Sequence, residues 1–104
     1  MGMEYRGRIV VGRSDDDVGV MIFVTRRGGW EEHHSEGIDE LVGHVKKIVT
    51  GSDYTLNDVQ NGATPEDIEN CSPYLGCFPP LETSAFNYLI HRLKKKTKIP
   101  LITA

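Results

Sequence analysis

The sequence predicts a small α+β domain, a two-layer sandwich in which two amphipathic helices cover an antiparallel sheet. The run over residues 18–24 is the most apolar stretch and has the composition of a buried strand. Residues 37–49 and 83–93 each carry apolar side chains at helical spacing. A chain of 104 residues with 38% hydrophobic and 26% charged residues fits one domain over 1–104.

The first third of the chain predicts an antiparallel hairpin, with strands at residues 4–12 and 18–25. Ser14 and the aspartates that follow it are typical of a chain reversal, because their side chains bond nearby backbone groups. The second strand is apolar on both faces, so we expect it to be central or covered on both sides. Residues 30–34 predict either a short third strand with alternating faces or a loop.

The clearest helix signal follows these strands. Apolar residues recur at helical spacing from Ile38 to Val49, and they form one stripe that can pack on a sheet. Ser35 is predicted as the N-cap, because its hydroxyl can accept a hydrogen bond from the first turn. Gly51 is expected at the C-terminal end. Residues 52–62 are polar and predict irregular structure.

The second half of the chain predicts a short helix and then a second amphipathic one. Thr64 and Pro65 favour a helix start, because threonine caps a helix and proline fits its first position. We expect the amphipathic helix to be capped by Thr83 or Ser84. Residues 99–103 have β character, and the proline among them would confine them to an edge strand or an extended tail.

The favoured function is a non-enzymatic protein-interaction module that acts as an adaptor, an inhibitor or a regulatory domain. Arginine and aromatic side chains are frequent anchors of protein interfaces, and they recur over residues 26–34 and 74–80. The predicted partner-binding residues are Arg26, Arg27, Trp30, Tyr74 and Phe78. A protein partner is therefore expected, and the sequence leaves the oligomeric state open.

Uneven charge suggests the alternative function, a nucleic-acid-binding module. The net charge of the chain is -3, yet the segment from Glu82 onward carries five basic residues against that one acid. These basic residues are Arg92, Lys94, Lys95, Lys96 and Lys98. Such a basic end would bind phosphates by displacing their counterions. The same run would also suit a nuclear-localisation tract.

Residues 28–31, Gly-Gly-Trp-Glu, resemble the opening of a Nudix hydrolase box. In that family, glycines shape a loop and glutamates on the next helix hold a divalent metal. The next helix here, over residues 38–47, lacks the Arg-Glu pair and the adjacent glutamates that the family carries. The resemblance therefore implies only a second alternative function, a metal-dependent hydrolase.

No cofactor, metal site or catalytic residue is predicted. His33, His34, Cys71 and Cys77 have side chains that bind zinc, but their spacing is poor, because adjacent histidines on an extended chain point to opposite sides. The sequence contains no apolar run of membrane-spanning length and no signal-peptide core. We therefore expect an intracellular, cytoplasmic protein, or a nuclear one if the basic run over 94–98 directs import.

Overall fold

The structure, a computed structural model, describes residues 5–14 and 19–95, which form a four-stranded mixed sheet with helices packed against it. The strands are β1 (Ile9–Arg13), β2 (Val20–Arg26), β3 (Gly29–Ser35) and β4 (Val59–Asn61). The helices are α1 (Ile38–Thr50), α2 (Pro65–Asn70) and α3 (Thr83–Lys94), with 3₁₀ helices over Leu56–Asp58 and Pro73–Cys77. The α+β prediction is confirmed.

The order of strands in the sheet is β3-β2-β1-β4. β1 and β2 form the predicted antiparallel hairpin and lie in the middle. β3 pairs antiparallel with β2, so residues 30–34 form a strand and not a loop. β4 pairs parallel with β1, in the region where the sequence indicated irregular structure. Its three residues are too few to show a strand pattern.

The larger core lies between the sheet and two helices, as predicted. Ile9 and Ile22 of the central strands meet Leu41 and Val45 of α1 and Leu89 of α3, and all five side chains are fully buried. Burial of one such aliphatic side chain contributes about 1.5–3 kcal/mol to stability. This layer therefore fixes α1 and α3 on one face of the sheet.

The opposite face of the sheet is covered as well. Met21 and Phe23 of β2 pack under Leu75 of the 3₁₀ helix Pro73–Cys77, with α2 at the margin of this second cluster. The continuous apolar run of β2 is explained by this arrangement, because its side chains are buried on both faces. The first residues of the loop predicted over 74–80 therefore belong to the 3₁₀ helix Pro73–Cys77, which covers the sheet.

Two helix caps differ from the prediction. Ser35 is the last residue of β3, and Gly37 is the N-cap of α1. The buried Ser35 hydroxyl instead lies 2.8 Å from His44 Nδ1. It therefore shares a hydrogen bond with a side chain of α1 and does not cap the backbone N–H groups at the start of that helix. α3 has Glu82 as its N-cap, just before the threonine and serine that the sequence indicated. Thr64 caps α2 as predicted.

The remaining expectations concern the ends of the chain and membrane insertion. The edge strand predicted over residues 99–103 lies outside the described residues. Within the described ranges, no helix has the length and apolar character needed to cross a membrane.

Candidate functional site

Three of the predicted partner-binding residues come together over the second face of the sheet. The centroid of the Trp30 ring lies 5.7 Å from that of Tyr74, and the Tyr74 ring lies 4.9 Å from that of Phe78 in an edge-to-face arrangement. Separations in this range are those of favourable aromatic pairs. We call Trp30, Tyr74 and Phe78 the aromatic surface.

A buried ring supports the aromatic surface from below. Phe23 is 1% exposed, and its centroid lies 6.3 Å from that of Tyr74 and 5.2 Å from that of Phe78. Trp30 and Tyr74 are 36% and 42% exposed. The inner edges of the rings are therefore packed while their outer parts meet solvent. Because folding already orders these side chains, they would lose little further conformational entropy when a partner binds.

The turn between β2 and β3 sets the position of Trp30. The turn is tight, and Gly28 within it has φ of +82°, a conformation that favours glycine. The Gly28 N–H donates to the carbonyl of Asn70 at 2.9 Å, which joins the turn to the end of α2. The chain then passes through Cys71 to the 3₁₀ helix that carries Tyr74. One backbone hydrogen bond thus links the two segments that carry the exposed rings.

The two predicted arginines do not both join the aromatic surface. Trp30 is paired with Thr25, so these two residues share one face of the sheet. Arg26 follows Thr25 and therefore lies on the other face, where it lines a cavity with Tyr54. Arg27 lies in the turn itself and is exposed. Strand alternation therefore separates Arg26 from the aromatic surface, and its role in partner binding stays a prediction.

Charged side chains flank the aromatic surface along β3. Glu32 and His34 lie on the same face as Trp30, and Glu32 Oε2 is 3.3 Å from His34 Nε2. Glu31 and His33 lie on the other face, with Glu31 Oε1 3.7 Å from His33 Nε2. The strand therefore carries acids and histidines on both faces.

At the basic end, Arg92 is engaged within the fold. Its guanidinium donates to Asp39 Oδ1 and to the Tyr88 hydroxyl, both at 2.7 Å, which ties α3 to the first turn of α1. The hydrogen bonds from Arg92 and Tyr88 hold the pKa of Asp39 below its usual value. Arg92 would have to leave these partners before it could bind a phosphate through the same atoms.

Only some of the lysines of the basic end lie within the residues that the structure describes. Lys94 is the last residue of α3 and Lys95 is its C-cap, and both are exposed. Lys96 and Lys98 lie outside the described residues. Cations are favoured at a helix C-terminus by the helix dipole. The placement of Lys94 and Lys95 is thus explained without a ligand.

The residues that suggested a metal site are dispersed. Among residues 5–14 and 19–95, no three His, Cys, Asp or Glu side chains are grouped so that they could hold a metal ion. Cys71 and Cys77 are both free thiols. The glycines that resemble the Nudix box close the β2–β3 turn, and the glutamate after them lies on β3. No observation therefore favours the hydrolase alternative.

The sequence analysis missed a buried polar cluster around Asp67. This residue has no exposed surface, and its carboxylate accepts hydrogen bonds from the Thr64 N–H at 2.9 Å and the Tyr5 hydroxyl at 2.5 Å. Arg8 Nε lies 3.0 Å from the same carboxylate as an ion pair. Threonine followed three residues later by an acid is a recognisable capping signal. Nothing in the sequence links that signal to Tyr5 or Arg8.

The Asp67 cluster has a structural role, because it attaches the segment before β1 to α2. The Tyr5 hydroxyl also lies 2.7 Å from Thr25 Oγ1. Burial and the hydrogen bond to Asp67 both raise the pKa of Tyr5, so the phenol stays protonated.

The aromatic surface remains the strongest candidate site in the part of the chain that the structure describes. No family profile, curated protein or solved structure matches the chain.

Proposed function

We propose that the protein is a protein-interaction module that binds its partner through the aromatic surface, as an adaptor, an inhibitor or a regulatory domain. The observation that supports this proposal most strongly is the pairing of Trp30 and Tyr74, two exposed rings 5.7 Å apart. Tyrosine and tryptophan are common interface anchors, because they bury a large area with few rotatable bonds.

The position of the rings favours binding over a purely structural role. Phe23 already fills the core below them, while Trp30 and Tyr74 each keep more than a third of their surface exposed to solvent. A single exposed aromatic side chain is ordinary, whereas adjacent ones form a patch that is typical of interaction sites. Removal of an anchor residue typically weakens a complex by about 2 kcal/mol or more.

The charges around the patch favour a protein partner over a nucleic acid. Arg27 is exposed in the turn before β3, whereas Glu32 and His34 lie further along β3 on the same face as Trp30. An apolar centre with a polar rim of mixed sign is the usual anatomy of a protein interface. The acids Glu31 and Glu32 would repel the phosphates of a nucleic acid laid along this strand.

The test is a site-specific photocrosslinking experiment in cells that express the protein. A photoreactive phenylalanine analogue replaces Trp30 in one variant and Tyr88 in a control. Tyr88 is a matched control, because it is 43% exposed but lies on α3, away from the aromatic surface. We expect a discrete crosslinked protein other than a second copy of this chain from position 30, and none of the same mass from position 88. The same product from both positions, or none from position 30, would contradict the proposal.

The captured protein is then purified and its affinity is measured. Trp30→Ala and Tyr74→Ala should each weaken binding by about tenfold or more, whereas Tyr88→Ala should leave it unchanged. A second experiment measures binding of the protein to mixed DNA and RNA by fluorescence anisotropy at two salt concentrations. Salt-sensitive binding that survives Trp30→Ala would favour the nucleic-acid alternative instead.

A further inference from the structure

β3 forms an edge of the sheet that no other described strand covers. It spans seven residues and pairs with β2 in unbroken register from Gly29 to Ser35. Exposed edge strands are usually protected from pairing by short length, bulges, proline or charge, because an open edge can pair with another chain. β3 has charged side chains but none of the other three protections.

The hairpin geometry decides which backbone groups of β3 point outward. Opposed residues in an antiparallel pair alternate between those that exchange two hydrogen bonds and those that exchange none. The two-residue turn makes the pair of Arg26 and Gly29 a bonded one. The residues of β3 that bond to β2 are therefore Gly29, Glu31, His33 and Ser35. Those with outward backbone groups are Trp30, Glu32 and His34.

A second copy of β3 matches these outward groups. If two β3 strands pair antiparallel about a two-fold axis at Glu32, then Trp30 lies opposite His34 and Glu32 lies opposite its own equivalent. Every outward residue then meets another outward residue, as a bonded ladder requires. A pairing centred on Glu31 or His33 would also oppose outward residues to one another, but it would pair only two of the three outward residues of each β3 strand. A pairing centred two residues away would leave much of the strand unpaired.

The same register also matches side-chain chemistry. Glu31 lies opposite His33 of the second copy, and the two-fold axis repeats this pair. These are non-bonded pairs, in which the side chains of opposed residues approach most closely. An acid opposite a histidine is favourable, because the histidine donates a hydrogen bond when neutral and bears the opposite charge when protonated. The opposed Glu32 carboxylates repel, although each has His34 of its own chain at 3.3 Å.

We propose that two copies of this chain pair through their β3 edges, about a two-fold axis at Glu32, and form one sheet that runs through both copies. The proposal does not rest on the function suggested above. In this dimer the two aromatic surfaces lie on the same face of the joint sheet and at opposite ends of the paired strands.

The test measures self-association by sedimentation velocity over a range of protein concentrations. We expect a monomer–dimer equilibrium for the unchanged protein. Glu31→Lys opposes lysine to histidine, and His33→Glu opposes glutamate to glutamate, so each should weaken the dimer by about tenfold. An equimolar mixture of the two variants should recover the dimer. In the mixed pair, lysine faces the introduced glutamate and the native glutamate faces the native histidine.

The control is Glu69→Lys, an exposed charge reversal on α2, which should leave the dimer unchanged. Circular dichroism establishes that each variant is folded. A protein that stays monomeric at every concentration would overturn the proposal. So would a dimer that ignores both β3 variants, or two weakened variants that do not recover on mixing.

Discussion

Tyr5 donates a hydrogen bond of 2.5 Å to the carboxylate of Asp67, and the two residues are 62 positions apart in the chain. The contact lies on the side of the sheet that carries the aromatic surface, and α2 connects the two features. One end of α2 holds Asp67, and the carbonyl of Asn70 at its other end accepts from the β2–β3 turn. The N-terminal segment and the aromatic surface therefore depend on the same short helix.

Tyr5→Phe should lower the free energy of unfolding by about 1.5–3 kcal/mol, because a hydrogen bond to a charged, buried carboxylate is lost. Tyr54→Phe is the matched control. The Tyr54 hydroxyl donates to the neutral carbonyl of Thr25 at 2.9 Å, and its loss should cost about 0.5–1.5 kcal/mol. Urea unfolding of both variants measures the difference. A larger loss in Tyr54→Phe would contradict the importance of the Tyr5–Asp67 contact.

Alkaline pH should destabilise the protein through Tyr5. Burial, followed by the hydrogen bond to Asp67, raises the pKa of Tyr5 above its ordinary value of 10.0. The folded state then holds this proton more tightly than the unfolded chain does. The stabilisation is therefore complete below pH 10 and is lost progressively as pH rises above that value. The free energy of unfolding should fall more steeply above pH 10 in the unchanged protein than in Tyr5→Phe. Equal slopes would refute this assignment.

Two glycine substitutions should have opposite effects on stability. Gly7 has φ of +83°, and a Cβ atom there would lie 2.3 Å from the Thr25 carbonyl oxygen. Gly7→Ala should therefore cost about 2 kcal/mol or more. Gly43 lies inside α1 with open space where a Cβ would be placed, so Gly43→Ala should add about 0.5–1 kcal/mol. Thermal unfolding of both variants gives the signs, and a stabilising Gly7→Ala would contradict the backbone geometry.

Asn61→Ala should destabilise the protein, because Asn61 holds the segment that leads into α3. The Asn61 side chain donates to the Leu81 carbonyl at 2.8 Å and accepts from the Leu81 N–H at 2.7 Å. The substitution removes both hydrogen bonds at once, so we expect a loss of about 2 kcal/mol in urea unfolding. Asn87→Ala, at an exposed position of α3, should change stability by less than about 0.5 kcal/mol. Equal effects would show that the Leu81 contacts contribute little.

The sequence predicted the elements whose signals are local. Residues 20–26 form a central strand because their apolar run has no polar face, and Thr64 with Pro65 marks the start of α2 without any tertiary contact. β4 was not predictable in this way. Its three residues become a strand only because Val59 aligns with Ile9 of β1, and a parallel partner so distant in sequence leaves no local pattern.

The aromatic surface was predicted only in part. The sequence identifies Trp30, Tyr74 and Phe78 only as separate aromatic residues in loops or at the ends of elements, and their contact depends on Phe23, a residue of the buried strand. The face on which Arg26 lies depends on where the β2–β3 turn falls, which the sequence alone does not determine. A strand register shifted by one residue would have placed Arg26 beside Trp30.

The parallel pairing of β1 with β4 has a consequence for how the chain folds as it is synthesised. β1 is synthesised before β2 and can pair with it as soon as this hairpin leaves the ribosome. Its other edge stays open until the residues from Val59 to Asn61 emerge, because no earlier described strand pairs there. Leu89 of α3 closes the larger core later still. A nascent chain therefore exposes an unpaired sheet edge until these residues emerge, and chaperone binding during that period would protect it from aggregation.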